Sequence, residues 1–405
     1  MNNTIYDVII AGAGASGLIC ARECARGGLK TLVLEKEQTP GRKISVTGNG
    51  RCNLTNVRVS PAHYYGDEKL ISSALAQFSY TDCRTYFEQL GVLLTEEENG
   101  RIFPQTGKSS AVLEPLKLAV LESGAEILPG QFVTKIKHGK TFNITTQTDQ
   151  KFQARHVVLA CGSCAYPQLG ANSSGYELAR ALGHTVITPR PTLSGLVLKE
   201  NFSRLSGIRA QVKLTADTTP AIHTCGEIIF TNYGINGPAA LNASGAISRA
   251  LSNGNVSIQL NFLPEISNAE NFFNERLQQF PHRRPKDFFA GVLHESIANL
   301  LIDFKGLRKN KPMKEQFPSA VKSAFDTVGK WPATVTALRP WSEAMAATGG
   351  VNTREINYNT FESQCCPGLY ITGELLDIDG QSGGFNLHFA WASGFTAAKD
   401  LVKEK

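Results

Sequence analysis

An α/β fold is predicted, with a parallel sheet assembled from two distant stretches of chain and interrupted by an inserted β-plus-helical domain. Three observations predict it. The first is an opening strand–turn–helix–strand unit, running from Tyr6 through Gly17 to Thr31-Leu-Val-Leu-Glu35. The second is a short apolar run near the far end, Gly368-Leu-Tyr-Ile-Thr-Gly-Glu374, followed by a helix start at Gly383-Gly384. The third is the stretch between them, where strand-like runs give way to helical patterns. At 405 residues the chain exceeds one ordinary hydrophobic core, so two or three domains are expected.

In the opening unit an apolar run, Val8 to Ala11, enters a G-x-G-x-x-G turn made by Gly12, Gly14 and Gly17. Gly12 permits the tight turn, Gly14 lets the backbone approach a pyrophosphate, and Gly17 lets helix and strand pack closely. A small-residue helix follows, closed by Gly27-Gly28, and its start offers free N–H groups and the positive dipole end to phosphates. The second apolar run ends in Glu35, where a carboxylate can accept hydrogen bonds from ribose hydroxyls. Strand, helix, strand and acid in register indicate a dinucleotide site.

The far end decides which dinucleotide. From Phe385 onward the apolar residues Leu387, Ala390, Trp391, Phe395, Ala398 and Leu401 recur at helical spacing. A nicotinamide site has no need of so distant a piece, whereas an extended FAD does. Glu374 is expected to hold the ribitol chain. The helix beginning near Gly383-Gly384 is expected to aim N–H groups at the flavin N1–C2=O edge and stabilise negative charge there. Between these ends lies Pro40-Gly-Arg-Lys-Ile-Ser-Val-Thr-Gly-Asn-Gly-Arg-Cys-Asn-Leu-Thr-Asn56. This glycine-rich loop is expected to wrap a phosphate and lay Arg42, Lys43 and Arg51 beside an electron-rich ring, with Asn53 and Asn56 in support.

Bulk properties agree with a globular, cytoplasmic protein: 42% hydrophobic, 19% charged, net charge +6. No signal peptide or membrane span is expected. The nine cysteines lack metal-ligand spacing, Cys161/Cys164 having no partner pair, so no metal is expected and the thiols read as reduced.

These segments together resemble the YhiN/BaiN-like family of bacterial NAD(P)/FAD-dependent oxidoreductases, which includes aminoacetone oxidase-like and bile-acid reductase-like flavoproteins. The resemblance covers nearly the whole chain. It rests on the opening turn, GRKISVTGNGRCNLTN (41–56), VVLACGSCAYPQLGANSSGYELARALGH (157–184), GEIIFTNYGINGPA (226–239), TGGV (348–351) and GLYITGELLDIDGQSGGFNLHFAWASG (368–394). Two departures occur. The usual A-T-G-G is Ala160-Cys161-Gly162-Ser163 here, and the usual S/T-G-G-G-R-C is Thr47-Gly48-Asn49-Gly50-Arg51-Cys52.

The resemblance implies a Rossmann-like FAD-binding domain of the glutathione-reductase type, discontinuous over residues 1–190 and 331–405. Inserted in it are a β domain (191–263) and a helical cap (264–330). The expected cofactor contacts are completed by Ala15, Ser16, Lys36, Asn49, Gly50, Cys52, Val133, Ala160, Gly162, Gly373, Asp377, Phe385 and Asn386. Within the insert, Gln211-Val-Lys-Leu, Glu227-Ile-Ile-Phe and Val256-Ser-Ile-Gln-Leu read as strands. Helical patterns follow from Asn268 to Phe325, broken at Pro281, Pro285, Pro312 and Pro318. Phe288, Phe289, Leu293, Ile297, Leu300 and Leu301 form one helical stripe, read as core.

Flavin chemistry needs no protein nucleophile, because the protein supplies orientation and electrostatics. A C-x-x-x-x-C redox disulfide, a G-x-S-x-G elbow and an H-E-x-x-H helix are all absent from the sequence. Cys365-Cys366 are adjacent and read as structural. Cys52, Cys161, Tyr166 and His388 are the candidates to face the ring, although a lone helical histidine is more often a structural residue.

The expected function is two-electron hydride transfer through flavin N5 on a small organic substrate. With no second G-x-G-x-x-G unit, NAD(P)H would dock transiently as the other redox partner, or O2 would take its place. Two alternatives stand beside it: a tRNA-modifying flavoprotein and a non-catalytic flavin-binding protein. The basic runs Arg283-Arg284-Lys286 and Lys305-Arg308-Lys309-Lys311-Lys314 bear on the former. They read as lacking interleaved stacking aromatics, hence as solvated helix faces, so nucleic acid is not expected as a partner. Oligomeric state is left unassigned.

Overall fold

The computed structural model describes residues 4–404. The chain divides into two compact units, Met1–Arg190 with Met345–Lys405, and Pro191–Ala344.

The first unit is built on a seven-stranded sheet in the order Glu126–Leu128, Thr31–Leu34, Ile5–Ala11, Lys151–Leu159, Phe142–Thr146, Val133–His138. Leu369–Ile371 also pairs with Lys151–Leu159. That strand is shared between two neighbours. Lys151–Ala154 pair antiparallel with Phe142–Thr145, and Val157–Leu159 pair parallel with Leu369–Ile371. Ile5–Ala11 lies parallel between Thr31–Leu34 and Lys151–Leu159, and its Val8, Ile9 and Ile10 are wholly buried, as a central parallel strand requires. The helix Ala15–Arg26 and the carboxy-terminal helix Phe385–Lys403 pack against each other. Gly394 sets their separation, since a Cβ there would lie 2.2 Å from the Ser16 carbonyl oxygen.

The second unit is a closed barrel of Leu196–Leu198, Gly234–Asn236, Ile222–Phe230, Arg209–Ala216, Val256–Asn261 and Trp331–Leu338. The helices Ala269–Gln279, Pro285–Phe289, Glu295–Lys305 and Pro318–Gly329 share one apolar core with it. Two of the expected helix-breaking prolines instead open helices: Pro285 and Pro318 sit in the first turn, where a missing N–H costs nothing. Phe273, Phe288, Phe289 and Phe325 cluster in the interior, Phe273 and Phe325 stacked at 4.6 Å.

Two expectations are corrected here. The return to the first unit comes at 345 rather than 331, because Trp331–Leu338 closes the barrel between Val256–Asn261 and Leu196–Leu198. The stripe from Phe288 to Leu301 spans two helices, broken at Ala290-Gly291, with Leu293 and Leu300 only partly buried. The second basic run has no aromatic within it, as expected, and is flanked by Phe304 and Phe317, each 61% exposed. Among the described residues no helix is long and apolar enough to cross a membrane.

Candidate functional site

All the residues that follow belong to the first unit. Gly12 adopts φ +109° at the end of the opening strand, and a Cβ there would lie 2.5 Å from the Ala160 carbonyl oxygen. Gly17 stacks the next helix on this turn, its Cβ position being 2.0 Å from the Gly12 oxygen. Gly14 differs in kind. It caps Ala15–Arg26 with no side-chain hydrogen bond, and a Cβ there would meet nothing within 4 Å. Glu35, 8% exposed, accepts from the Ala13 N–H at 2.7 Å and the Glu37 N–H at 2.9 Å. Its carboxylate thus braces the turn while lining a cavity.

That cavity, about 220 Å³, is lined by the turn from Ala11 to Ser16, by Glu35 and Lys36, and by Arg42 and Lys43. Its walls continue through Val133, Ala160, Gly162, Glu374 and Asn386. Lys43 Nζ lies 2.5 Å from Glu374 Oε2, joining residues 331 positions apart, and Glu374 Oε1 accepts from the Ala347 N–H at 3.1 Å. Arg42 pairs with Glu37, and Lys36 lies 5.8 Å from the Phe132 ring centroid. Gly162, like Gly14, faces open space.

The carboxy-terminal helix begins at Phe385, capped by Gly384 at φ +100° with no side-chain cap. A Cβ on Gly384 would stand 2.6 Å from the Thr55 oxygen. The Asn386 carboxamide closes the turn onto the Gly380 N–H (2.8 Å) and carbonyl (2.7 Å). Gly373, at φ +67°, places its Cβ position 2.7 Å from Ser16 Oγ and donates to Ser393 Oγ at 2.9 Å. Asp377 accepts from the Gly349 N–H at 2.9 Å. Gly17, Gly373, Asp377, Gly383, Gly384 and Phe385 lie outside the cavity lining, the Phe385 ring stacking on His63 at 4.3 Å.

The 41–56 segment does not form one wrapping loop. Arg42–Gly50 starts as a helix, because Gly41 at φ +77° turns the chain and ties its N–H to the Ala13 carbonyl. It kinks at Thr47, with Gly48 and Asn49 left-handed. Beyond the kink the residues turn inward or outward and away from the cavity lining. Asn49 is exposed and Gly50 lies outside the lining. Arg51 pairs with Glu97 and lies over the Phe103 ring at 4.2 Å. Asn56 donates to the Gly383 carbonyl at 3.0 Å. Asn53, with its carboxamide turned to satisfy both neighbours, accepts from the Gly384 N–H at 3.2 Å. Its tail therefore anchors the helix start and leaves Arg42 and Lys43 at the cavity.

Of the four candidate reactive side chains, only Cys161 lines the cavity. Its thiol donates to the Ala11 carbonyl, and burial, then the Glu35 carboxylate, pushes it up to about 12, so it stays protonated. Cys52 is wholly buried outside the lining, its thiol likewise pushed up to about 12 by burial. Tyr166 is half-buried and outside the lining, held at φ +65°. His388 is fully buried, with Nδ1 2.8 Å from Thr55 Oγ1 and Nε2 3.0 Å from the Phe78 carbonyl. Burial lowers its pKa to about 4.

His388 is therefore neutral in the folded protein and takes up protons more readily when unfolded. Stability from this group is fully present above the ordinary histidine value and is lost as pH falls toward 4. Between pH 8 and pH 5 the loss is expected to be about 2 kcal/mol. His388→Gln should flatten that part of the pH profile of urea unfolding; an unchanged slope would reject the assignment.

Three lining residues had no local signal. Tyr64 reaches the wall through pairing of Tyr64–Tyr65 with Asp379–Gly380, and its hydroxyl donates to the Phe385 carbonyl at 3.0 Å. Met345 begins the return segment. Gln131 keeps a buried Oε1 with no hydrogen-bond partner in the structure. An orphaned acceptor, two glycines facing open space and two uncapped helix starts fit an extended, phosphate-bearing cofactor.

A family model described as HI0933-like protein Rossmann domain matches residues 6–400. A 3-dehydro-bile acid delta(4,6)-reductase of Clostridium scindens is 34% identical, covering 96% of this chain and 97% of the relative. A ribosomal RNA dihydrouridine synthase of Haemophilus influenzae is 31% identical, covering 98% of each. Among solved structures, a 3-ketosteroid delta1-dehydrogenase from Sterolibacterium denitrificans aligns with TM-score 0.52 at 13% identity, covering 99% of this chain and 100% of that one, a likeness of fold.

Proposed function

From the premise that this chain belongs to the HI0933-like Rossmann family of FAD-dependent oxidoreductases, we propose that it is a reductase. It saturates a carbon–carbon double bond conjugated to a carbonyl in a small organic substrate, with NAD(P)H docking transiently as donor. The observation that carries this reading is the cavity, which joins the opening turn, the Lys43–Glu374 pair and the carboxy-terminal helix start. It holds no ionised thiol, so the redox chemistry falls to the cofactor. When bound, FAD supplies two-electron hydride transfer through N5. Glu35 would hold the ribose and the N–H groups after Gly14 the pyrophosphate. Glu374, fixed by Lys43 and the Ala347 N–H, would hold the ribitol chain. The first N–H groups of Phe385–Lys403 would stabilise negative charge at the flavin edge.

The names of the two relatives support this choice of reaction, since a delta(4,6)-reductase and a dihydrouridine synthase both saturate a ring double bond. Anaerobic stopped-flow with NADH and then NADPH tests it. Bleaching of the flavin band within seconds, followed by reoxidation with an α,β-unsaturated ketone, is the expected result. Bleaching by neither nucleotide, or reoxidation by O2 alone with peroxide formed, would overturn it. A second reading, a uracil ring within RNA as the substrate, is favoured by the exposed Phe304 and Phe317 beside the second basic run.

A further inference from the structure

His184 follows the helix Ser174–Ala181 in the first unit, and its imidazole is fully buried. Both ring nitrogens are engaged. Nδ1 lies 3.1 Å from Glu355 Oε2, and Nε2 lies 2.7 Å from Ser363 Oγ. Glu355 and Ser363 stand on the two arms of one short hairpin. The Ile356–Ser363 bridge closes it, and the Gln364 N–H donates to the Glu355 carbonyl at 2.8 Å. The Thr185 N–H, donating to Glu355 Oε2 at 2.8 Å, holds the carboxylate in place. Ser363 Oγ also accepts from the Cys365 N–H at 3.0 Å and the Cys366 N–H at 2.8 Å. One hydroxyl thus fixes the imidazole and the backbone of Cys365 together. A Cβ on Gly183, next to the histidine, would stand 3.8 Å from the Cys365 Cβ, so the thiol is rooted beside the ring.

His184 Nδ1, a Glu355 carboxylate oxygen and Cys365 Sγ all lie within 4.8 Å of one another. An imidazole, a carboxylate and a thiolate are the side chains that bind zinc. With zinc bonds of about 2.0–2.1 Å to nitrogen and oxygen, the 3.1 Å between Nδ1 and Oε2 subtends about 100° at the metal, close to tetrahedral. The sulfur must come nearer, a movement open to Cys365 because it is exposed. That exposed side also leaves the fourth position to water. Thiolate and carboxylate together balance the dication, and the thiolate disfavours magnesium and calcium.

We infer that His184, Glu355 and Cys365 form a zinc site of three protein ligands and a water, fastening the hairpin to the end of the helix Ser174–Ala181. Binding releases the Cys365 thiol proton to solvent. The imidazole stays neutral: its single N–H passes from Nδ1, where it faces Glu355, to Nε2. There it points at Ser363 Oγ, whose hydroxyl turns from donor to acceptor. The hairpin runs on into Leu369–Ile371 and Glu374, so the ion braces the segment that completes the cofactor cavity. Cysteine spacing alone is blind to this site, because His184 precedes Glu355 by 171 residues.

The test uses the flavin-loaded protein, freed of metal with EDTA and titrated with zinc alone against a chromogenic chelator. One equivalent should bind, raising the melting temperature by about 5 °C at about 100 times the dissociation constant. Cobalt(II) in place of zinc should show a thiolate-to-cobalt charge-transfer band and the visible bands of a four-coordinate ion. Ser363→Ala should keep that band and lose about tenfold in affinity, acting through the imidazole it orients. Cys365→Ser, an exposed change, should keep full flavin content and NAD(P)H bleaching. It should lose the band and at least about a hundredfold in zinc affinity, beyond the range of an outer partner. Cys225→Ser, exposed in the second unit, should change neither. Failure to bind one equivalent, or an unchanged affinity and spectrum in Cys365→Ser, would overturn the inference. So would equal losses in Cys225→Ser, the mark of an adventitious thiol complex. NAD(P)H bleaching of the same preparations reports on the reductase reading independently.

Discussion

Replacing Glu35 by alanine is expected to give folded but colourless protein. The carboxylate accepts two backbone N–H bonds, from Ala13 and Glu37, and remains at the cavity with acceptor capacity for a ribose. Hydrogen bonds to a charged group are worth about 1.5–3 kcal/mol each. Losing the ribose contacts and loosening the turn should therefore raise the FAD dissociation constant by about two to three orders of magnitude. The cost to the fold should be smaller, about 1–2 kcal/mol, because the freed N–H groups can reach water in the cavity. Flavin absorbance after gel filtration, followed by FAD titration, measures the first effect and urea unfolding the second. Glu35→Gln, which retains an acceptor, should fall between. Full flavin occupancy in Glu35→Ala would refute the role given to this residue.

The second large effect separates two glycines of the same turn. Gly17→Ala drives a methyl group to 2.0 Å from the Gly12 carbonyl oxygen and 3.2 Å from the Ala160 Cβ. Neither neighbour can yield without opening the turn or lifting the helix, so a loss of about 4 kcal/mol or more is expected, a melting shift of about 10 °C. Gly14→Ala meets nothing within 4 Å and has an ordinary φ of −82°, so the flavin-free protein should melt within about 1 kcal/mol of the parent. Its deficit should appear in cofactor affinity, because the added methyl stands where the backbone would approach a pyrophosphate. Calorimetry of both variants stripped of flavin, followed by reconstitution, distinguishes them. Equal melting of Gly17→Ala and the parent would show that the turn and helix can separate without cost.

The parts of this protein that are legible in its sequence are those whose determinants lie close together along the chain. Gly12, Gly14, Gly17 and Glu35 belong to one strand–helix–strand unit, and their spacing suffices to read it. The start of the last helix at Gly384 is legible for the same reason. What fails is any assignment depending on a partner far along the chain. Arg51 and His388 suit a ring-facing role by composition, but Glu97 draws the first elsewhere and the pair Thr55 and Phe78 the second. The boundary at 331 fails likewise, because Trp331–Leu338 pairs with strands in the insert, and the chain turns only after that strand, where the Glu343 N–H donates to the Pro340 carbonyl. Phe304 and Phe317 flank the second cationic run rather than interrupt it, so the reading that the run lacks interleaved aromatics stands.

One consequence of the shared strand Lys151–Leu159 concerns synthesis. Its first half finds Phe142–Thr146 as soon as both leave the ribosome, but Val157–Leu159 must wait for Leu369–Ile371, made only after the whole insert. For tens of seconds at ordinary elongation rates the nascent chain therefore carries an open, fully apolar sheet edge, the kind that invites aggregation. Lys43 waits equally long for Glu374. Capture of the cofactor is thereby deferred until residues 369–374 have been made, and that late segment acts as the latch that completes the site.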